Sequence, residues 1–213
     1  MTPTEAPQDL IVLAADLSMQ LALEEVLKRY QSLGIRKISY KVIQHPAHDS
    51  GVLQHGHELL QAQNRRYRQA LAICDRHGCG NERLSREQLE ALIENRMFKH
   101  WGNRAAAIVI DPELENWLWT DSPHVATEIG WRSGMHGLRE WLRNEGLLTE
   151  SRSKPSDPKA ALEKVLRFTR RQRSSALYQT LASKVSLEKC VDPAFLKLRA
   201  TLRYWFPVTD ATT

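Results

Sequence analysis

The sequence predicts an α/β fold, a parallel four-stranded sheet with flanking helices that is followed by an all-helical C-terminal part. Four short runs of strand character alternate with helical patterns over the first half of the chain. After Ile110 the strand pattern stops and only helical spacing follows. This alternation is typical of parallel sheets, because two parallel strands must be joined by a crossover, which is usually a helix.

The individual strands and helices follow from local patterns. Continuous apolar or alternating runs predict strands over 10–15, 37–43, 67–73 and 105–110. The first half also holds apolar residues at helical spacing, which predict helices after Ser18, over 52–64 and after Ser85, where Ser85 and Gln88 have the form of a capping box. Later helices are predicted over 113–120, 124–129, 138–145, 157–171, 175–185 and 193–204.

Three Asp-Pro pairs punctuate the chain, at Asp111, Asp157 and Asp192. Aspartate is a good N-cap, and proline is favoured at the first helical position. Each pair therefore predicts the start of a helix.

Length and composition set the outer limits. With 213 residues and 42% hydrophobic content, the chain is expected to form an α/β core over 9–121 with a helical region over 122–208 packed on it. No apolar run approaches the roughly 20 residues of a membrane span, and the N-terminus lacks a signal-peptide pattern. We therefore expect a cytoplasmic protein without membrane partners. The three cysteines form no CxxC pair, which argues against a disulfide framework or a zinc ribbon.

Charge is unevenly distributed along the chain. Residues 151–213 carry 13 Lys and Arg against 5 Asp and Glu, whereas residues 1–150 carry 17 against 20. An acidic part joined to a basic part suits a metal site paired with a surface for a polyanion. The alternative is that helical surfaces have simply collected Lys and Arg.

Acidic residues follow three of the predicted strands. Asp16 follows the first and Asp75 the third, and Asp111, Glu113 and Glu115 follow the fourth. The carboxyl ends of parallel strands share one edge of the sheet, so we expect these side chains to converge. Converging carboxylates repel one another unless a cation lies between them, and oxygen ligands favour Mg²⁺ or Mn²⁺.

Each acidic residue also has a purely structural interpretation. Asp16 and Asp111 could cap the helices that follow them, and Glu113 could complement a helix dipole. Asp75 has no obvious capping role, and His77 two residues later could act as a ligand or as a general acid or base.

A basic cluster lies in the C-terminal part. It comprises Arg167, Arg170, Arg171 and Arg173, and Lys154 extends the positive surface. Arginines of this kind suit contacts with a phosphate backbone. The alternative is favourable pairing with the C-terminal end of a helix dipole.

The segment Ile110-Asp-Pro-Glu-Leu-Glu115-Asn-Trp117 resembles the end of the last strand in Toprim-like proteins of the RloB type, which are related to OLD nucleases and linked with restriction and phage defence in bacteria. The chain departs from that family pattern at two places. Asp16 stands where the family has a Glu, and Asp75-Arg-His77 stands in place of an Asp-x-Asp motif.

The resemblance implies a metal-dependent nuclease-like component of a bacterial anti-phage defence system. Asp16, Asp75 and Glu115 would hold Mg²⁺ or Mn²⁺ with help from His77 and Glu113, and the basic cluster would hold a DNA or RNA backbone. Other defence-system proteins are implied as partners. The alternative is a catalytically degenerate Toprim-like protein that acts as a nucleic-acid-binding or protein-assembly subunit. A third alternative is another phosphoryl-transfer or phosphate-binding enzyme on a doubly wound sheet.

Overall fold

A computed structural model describes residues 6–208 and confirms the predicted fold class. The strands are β1 (Gln8–Ala14), β2 (Tyr40–Gln44), β3 (Tyr67–Asp75) and β4 (Ala105–Ile110). They form one sheet in the order β2-β1-β3-β4, and all neighbouring pairs are parallel. The helices are α1 (Leu17–Lys28), α2 (Tyr30–Leu33), α3 (His48–Gln61), α4 (Arg86–Trp101), α5 (Glu115–Leu118), α6 (Pro123–Glu128), α7 (Gly134–Asn144), α8 (Pro158–Phe168), α9 (Ser175–Lys184) and α10 (Pro193–Trp205).

Helices cover the sheet and extend the same hydrophobic core into the C-terminal part. Helices α3 and α4 pack on each other and on β3, whereas α1 packs on β1 and β2. Helix α9 packs on α1, and α10 packs on β4 and α2. The buried apolar residues of the sheet and of the C-terminal helices form one cluster. None of the helices within residues 6–208 combines the length and apolar character needed to cross a bilayer.

Helix α4 also protects the open edge of the sheet at β4. The carboxylates of Glu90 and Glu94 accept hydrogen bonds from the backbone N–H groups of Val109 and Ala107, each at 3.0 Å. Lys197 of α10 donates to both glutamates, at 3.1 and 2.8 Å. The strand edge is thereby closed by side chains, which removes a template for pairing with another chain.

The capping predictions are confirmed at three helices. Ser85 and Gln88 form the capping box of α4, and Asp157 and Asp192 cap α8 and α10. At Asp111 the prediction is wrong. The Asp111–Pro112 peptide bond is cis, and the next helix, α5, begins only at Glu115.

Several predicted boundaries also shift. The predicted strand over 37–43 is β2 from Tyr40, because the Ser39 N–H donates to the Asp9 carboxylate, at 2.9 Å. The predicted helix over 52–64 begins earlier, at His48. The predicted helix over 157–171 ends at Phe168, because Arg170 adopts a left-handed conformation with φ 54°. Sequence periodicity carries no signal for a left-handed residue other than glycine.

The contact between Asp9 and Arg36 gives a pH-dependent contribution to stability. Two hydrogen bonds from Arg36, the shorter at 2.6 Å, lower the pKa of Asp9 from 3.8 to about 2. Because this pKa is lower in the folded state, the contribution is complete above about pH 5 and disappears as the pH falls through 2. At neutral pH we expect Asp9→Asn to cost about 1 kcal/mol, a value reduced for the partial exposure of Arg36.

Urea unfolding of wild type and Asp9→Asn between pH 7 and pH 2 measures this contribution. The difference between the two proteins should shrink between about pH 4 and pH 2. A difference that stays constant over that range would contradict an ionised Asp9 as its source.

Candidate metal centre

The sheet order places a topological switch point between the carboxyl ends of β1 and β3. From β1 the chain crosses to β2 on one side of β1. It then crosses back to β3 on the other side of β1 and continues outward to β4. Ligands of open α/β sheets bind at such a switch point. Asp75 is the last residue of β3, and Asp16 lies two residues beyond the last residue of β1.

Backbone pairing continues past the end of the sheet and brings the loop between β4 and α5 beside Asp75. The Arg76 N–H donates to the Ile110 carbonyl at 2.8 Å, and the His77 N–H donates to the Pro112 carbonyl at 3.0 Å. The two segments therefore run side by side.

This pairing gathers three carboxylates into an acidic cluster, which we define as Asp75, Glu113 and Glu115. One oxygen from each lies within 4.8 Å of the other two. Glu113 and Glu115 are buried, at 6% and 1% exposure. The sequence prediction that acids after β3 and β4 converge is therefore matched by the structure for these three residues.

Asp75 has the most unusual environment of the three. Its Oδ1 atom is buried and accepts no hydrogen bond from any residue in the described range. Burial raises the pKa of Asp75 well above its ordinary value, and the charges of Asp49 and Glu115 raise it further. A buried acceptor without a partner costs roughly 1–3 kcal/mol, so this oxygen is the position in the cluster that most needs a ligand.

Glu115 and Glu113 already have partners from the C-terminal helices. The Glu115 Oε1 atom accepts hydrogen bonds from Arg173 at 2.7 Å and from the Tyr178 hydroxyl at 2.5 Å. Lys159 Nζ lies 3.4 Å from Glu113 Oε2. Burial raises the pKa of Glu113, and the neighbouring Glu115 adds to this shift.

A fourth carboxylate, Asp49 on α3, supports the cluster and was not predicted. Its Oδ1 atom accepts the backbone N–H of Asp75 at 2.7 Å. Burial raises the pKa of Asp49, whereas the hydrogen bond from Asp75 lowers it. Asp49 lies in the first turn of α3, and only the packing of this helix beside the end of β3 brings the two residues together.

The remaining predicted acids and His77 lie outside the acidic cluster. Asp16 accepts the Met19 N–H at 2.8 Å and caps α1, although its charge still raises the pKa of Asp75. Asp111 is exposed and lies 3.5 Å from Arg76. His77 is exposed, and its charge lowers the pKa of Glu113.

The residues present fit a small divalent cation. Carboxylate oxygens are the ligands that Mg²⁺ and Mn²⁺ prefer, and one oxygen each from Asp75, Glu113 and Glu115 converge. Asp75 also has a buried oxygen, Oδ1, without a hydrogen-bond partner among residues 6–208. Lys159 and Arg173 each offset one negative charge, so the acidic cluster retains a net negative charge when all three carboxylates are ionised.

The predicted basic residues divide into two groups. Arg173 contacts Glu115, and Lys154 donates to the Asn116 carbonyl at 2.7 Å, so both serve contacts within the chain. Arg167, Arg170 and Arg171 are exposed, and no residue within 6–208 forms an ion pair with them. These three arginines form the predicted basic surface that remains open to a ligand.

Comparison with known proteins adds no relative: no family model matches the chain, and neither a curated protein nor a solved structure matches it.

Proposed function

We propose that the acidic cluster binds Mg²⁺ or Mn²⁺ and that the protein cleaves phosphodiester bonds in nucleic acid. The observation that carries the proposal is the Asp75 carboxylate, which converges with those of Glu113 and Glu115 and whose buried Oδ1 atom has no hydrogen-bond partner among residues 6–208. A divalent cation bound there would polarise a phosphate and lower the pKa of water. A role in bacterial anti-phage defence, with other defence proteins as partners, is proposed on the family resemblance alone.

The surrounding residues supply positioning and charge balance for this chemistry. Asp49 fixes the backbone of Asp75, and the Tyr178 hydroxyl orients Glu115, whereas Arg173 balances the charge of Glu115. Residues behind metal ligands tune both geometry and affinity. His77 is exposed beside the acidic cluster, where it is the candidate general acid or base.

The ion pairs of the cluster favour a second candidate function. Arg173 and Lys159 partly neutralise Glu115 and Glu113 without a cation, and His77 replaces an acid of the family motif. A catalytically degenerate protein that binds nucleic acid or assembles with partners would keep these contacts for stability.

The decisive variant is Asp75→Asn, which keeps the shape of the side chain and removes its charge. We expect wild type to cleave labelled DNA or RNA with Mn²⁺ or Mg²⁺ but not with EDTA. The variant should lose cleavage and at least about 10-fold in cation affinity, because even residues behind the ligands contribute 10–100-fold. Calorimetric titration with Mn²⁺ gives a readout that does not depend on finding the right substrate.

Asp111→Asn is the matched control, since Asp111 follows the neighbouring strand but is exposed and outside the acidic cluster. It should bind Mn²⁺ like wild type. Cation binding without cleavage would support the degenerate alternative. Equal Mn²⁺ affinity in wild type and Asp75→Asn would overturn the metal site itself.

A further inference from the structure

Three aromatic rings form an exposed platform in the C-terminal part, which we call the aromatic platform: Trp131, Trp141 and Phe168. Each ring centroid lies 5.1–5.2 Å from the other two. Phe168 ends α8 with 63% of its surface exposed, and the two tryptophans that it contacts are partly buried. The contacts among the rings fix their positions and leave most of Phe168 facing solvent.

Three arginines lie close to this platform in space or in sequence. The Arg171 side chain packs against Gly130, where a Cβ atom would lie 2.9 Å from its Nε, and Gly130 directly precedes Trp131. Arg167 and Arg170 flank Phe168 in sequence and are exposed, with no ion pair to any residue that the structure describes. On α8, the acidic residue nearest in sequence to these arginines is the exposed Glu163. Glu145 is neutralised by Lys164, which lies 2.6 Å away.

The exposed aromatic ring and the nearby arginines together indicate one class of ligand. An exposed aromatic surface alone would suit an apolar protein partner, but arginines without ion pairs beside it favour a polyanion that also carries flat rings. Unpaired nucleotides have both properties, since their bases stack and their phosphates are negative. The bases of a duplex are already stacked, so a duplex offers only its phosphates to such a surface.

We propose that the aromatic platform binds single-stranded nucleic acid, with a base stacked on Phe168 and phosphates held by Arg167, Arg170 and Arg171. The conclusion that single-stranded nucleic acid is the substrate rests on the proposed phosphodiester cleavage. The chain connects the two sites: Phe168 and Arg173 are five residues apart, which spans at most about 18 Å. Arg173 contacts Glu115, so the backbone of Phe168 lies within about 18 Å of the backbone of a residue that contacts the acidic cluster.

Fluorescence anisotropy in EDTA tests binding separately from cleavage. Labelled oligothymidylate, oligouridylate and a duplex of equal length serve as probes. Wild type should bind a single strand more tightly than the duplex, and Phe168→Ala should lose about 5- to 100-fold in affinity for it, as expected for one stacked base. Phe98→Ala is the matched control, because Phe98 on α4 is 61% exposed, has basic neighbours of its own in Arg96 and Lys99, and is not part of the aromatic platform.

The charge contribution is tested by a pair of double variants. Arg167→Gln with Arg170→Gln should weaken binding and reduce its dependence on salt, whereas Arg65→Gln with Arg66→Gln on the exposed surface before β3 should change it little. Equal affinity for single strand and duplex, or equal losses in the Phe168 and Phe98 variants, would overturn the platform. Single-strand binding without cation-dependent cleavage would uphold the platform and refute the nuclease.

Discussion

Replacing Asp192 by alanine is expected to lower the free energy of unfolding by about 3–5 kcal/mol, which is a large part of the stability of a domain. The Asp192 carboxylate is buried and accepts four hydrogen bonds. Two come from side chains of α5, Asn116 Nδ2 at 2.6 Å and Trp117 Nε1 at 2.9 Å. Two come from backbone N–H groups in the first turn of α10. Alanine leaves all four donors without this acceptor.

Asp157 offers a matched control within the same chain. It also precedes a proline and caps a helix, but it is exposed and accepts a single hydrogen bond, from the Ala160 N–H at 2.8 Å. We expect Asp157→Ala to cost about 1 kcal/mol, the usual value of an N-cap. Urea unfolding of both variants measures the difference. Similar losses in the two would contradict the view that Asp192 connects α10 to α5.

The effect of Asp192 also reaches the candidate site. Asn116 and Trp117 directly follow Glu115, so the carboxylate of Asp192 fixes the short helix that carries one member of the acidic cluster. A helix of four residues is too short to be stable by itself. We therefore expect Asp192→Ala to weaken Mn²⁺ binding as well as stability, whereas Asp157→Ala should leave cation affinity unchanged.

The parts of the fold that were predictable from sequence are those that local physics determines. Strand β4 and the part of β1 from Leu10 onward are continuous apolar runs, and a parallel strand buried on both faces has that pattern. The capping box of α4 is equally local. The convergence of Asp75 with Glu113 and Glu115 followed from one topological rule, that parallel strands end at the same edge.

The features that were missed depend on contacts between distant segments. Asp49 lies 26 residues from Asp75, and only the packing of α3 on the sheet joins them. Arg173 was predicted to contact nucleic acid, but the fold places it on Glu115, 58 residues away. The aromatic platform combines residues from α7, α8 and the segment after α6, and no spacing in the sequence relates them.

Arg173 links the C-terminal part to the acidic cluster, and its replacement gives the second large expected effect. Glu115 is 1% exposed and depends on Arg173 and Tyr178 for its hydrogen bonds. Removing one partner of a buried ion pair costs about 3–5 kcal/mol. Because the Arg173 side chain is 38% exposed, we expect Arg173→Met to lower the free energy of unfolding by about 2 kcal/mol in EDTA.

Saturating Mn²⁺ should reduce that loss, because a cation at the acidic cluster supplies the positive charge that Arg173 no longer provides. By linkage, Arg173→Met should then bind Mn²⁺ more tightly than wild type. Lys184→Met is the control, because Lys184 pairs with Glu128 at the surface. This substitution should lower the free energy of unfolding by less than about 1 kcal/mol with or without Mn²⁺. An Arg173→Met deficit that is identical in EDTA and in Mn²⁺ would show that no cation shares Glu115 with Arg173, and the acidic cluster would then be a structural ion-pair network.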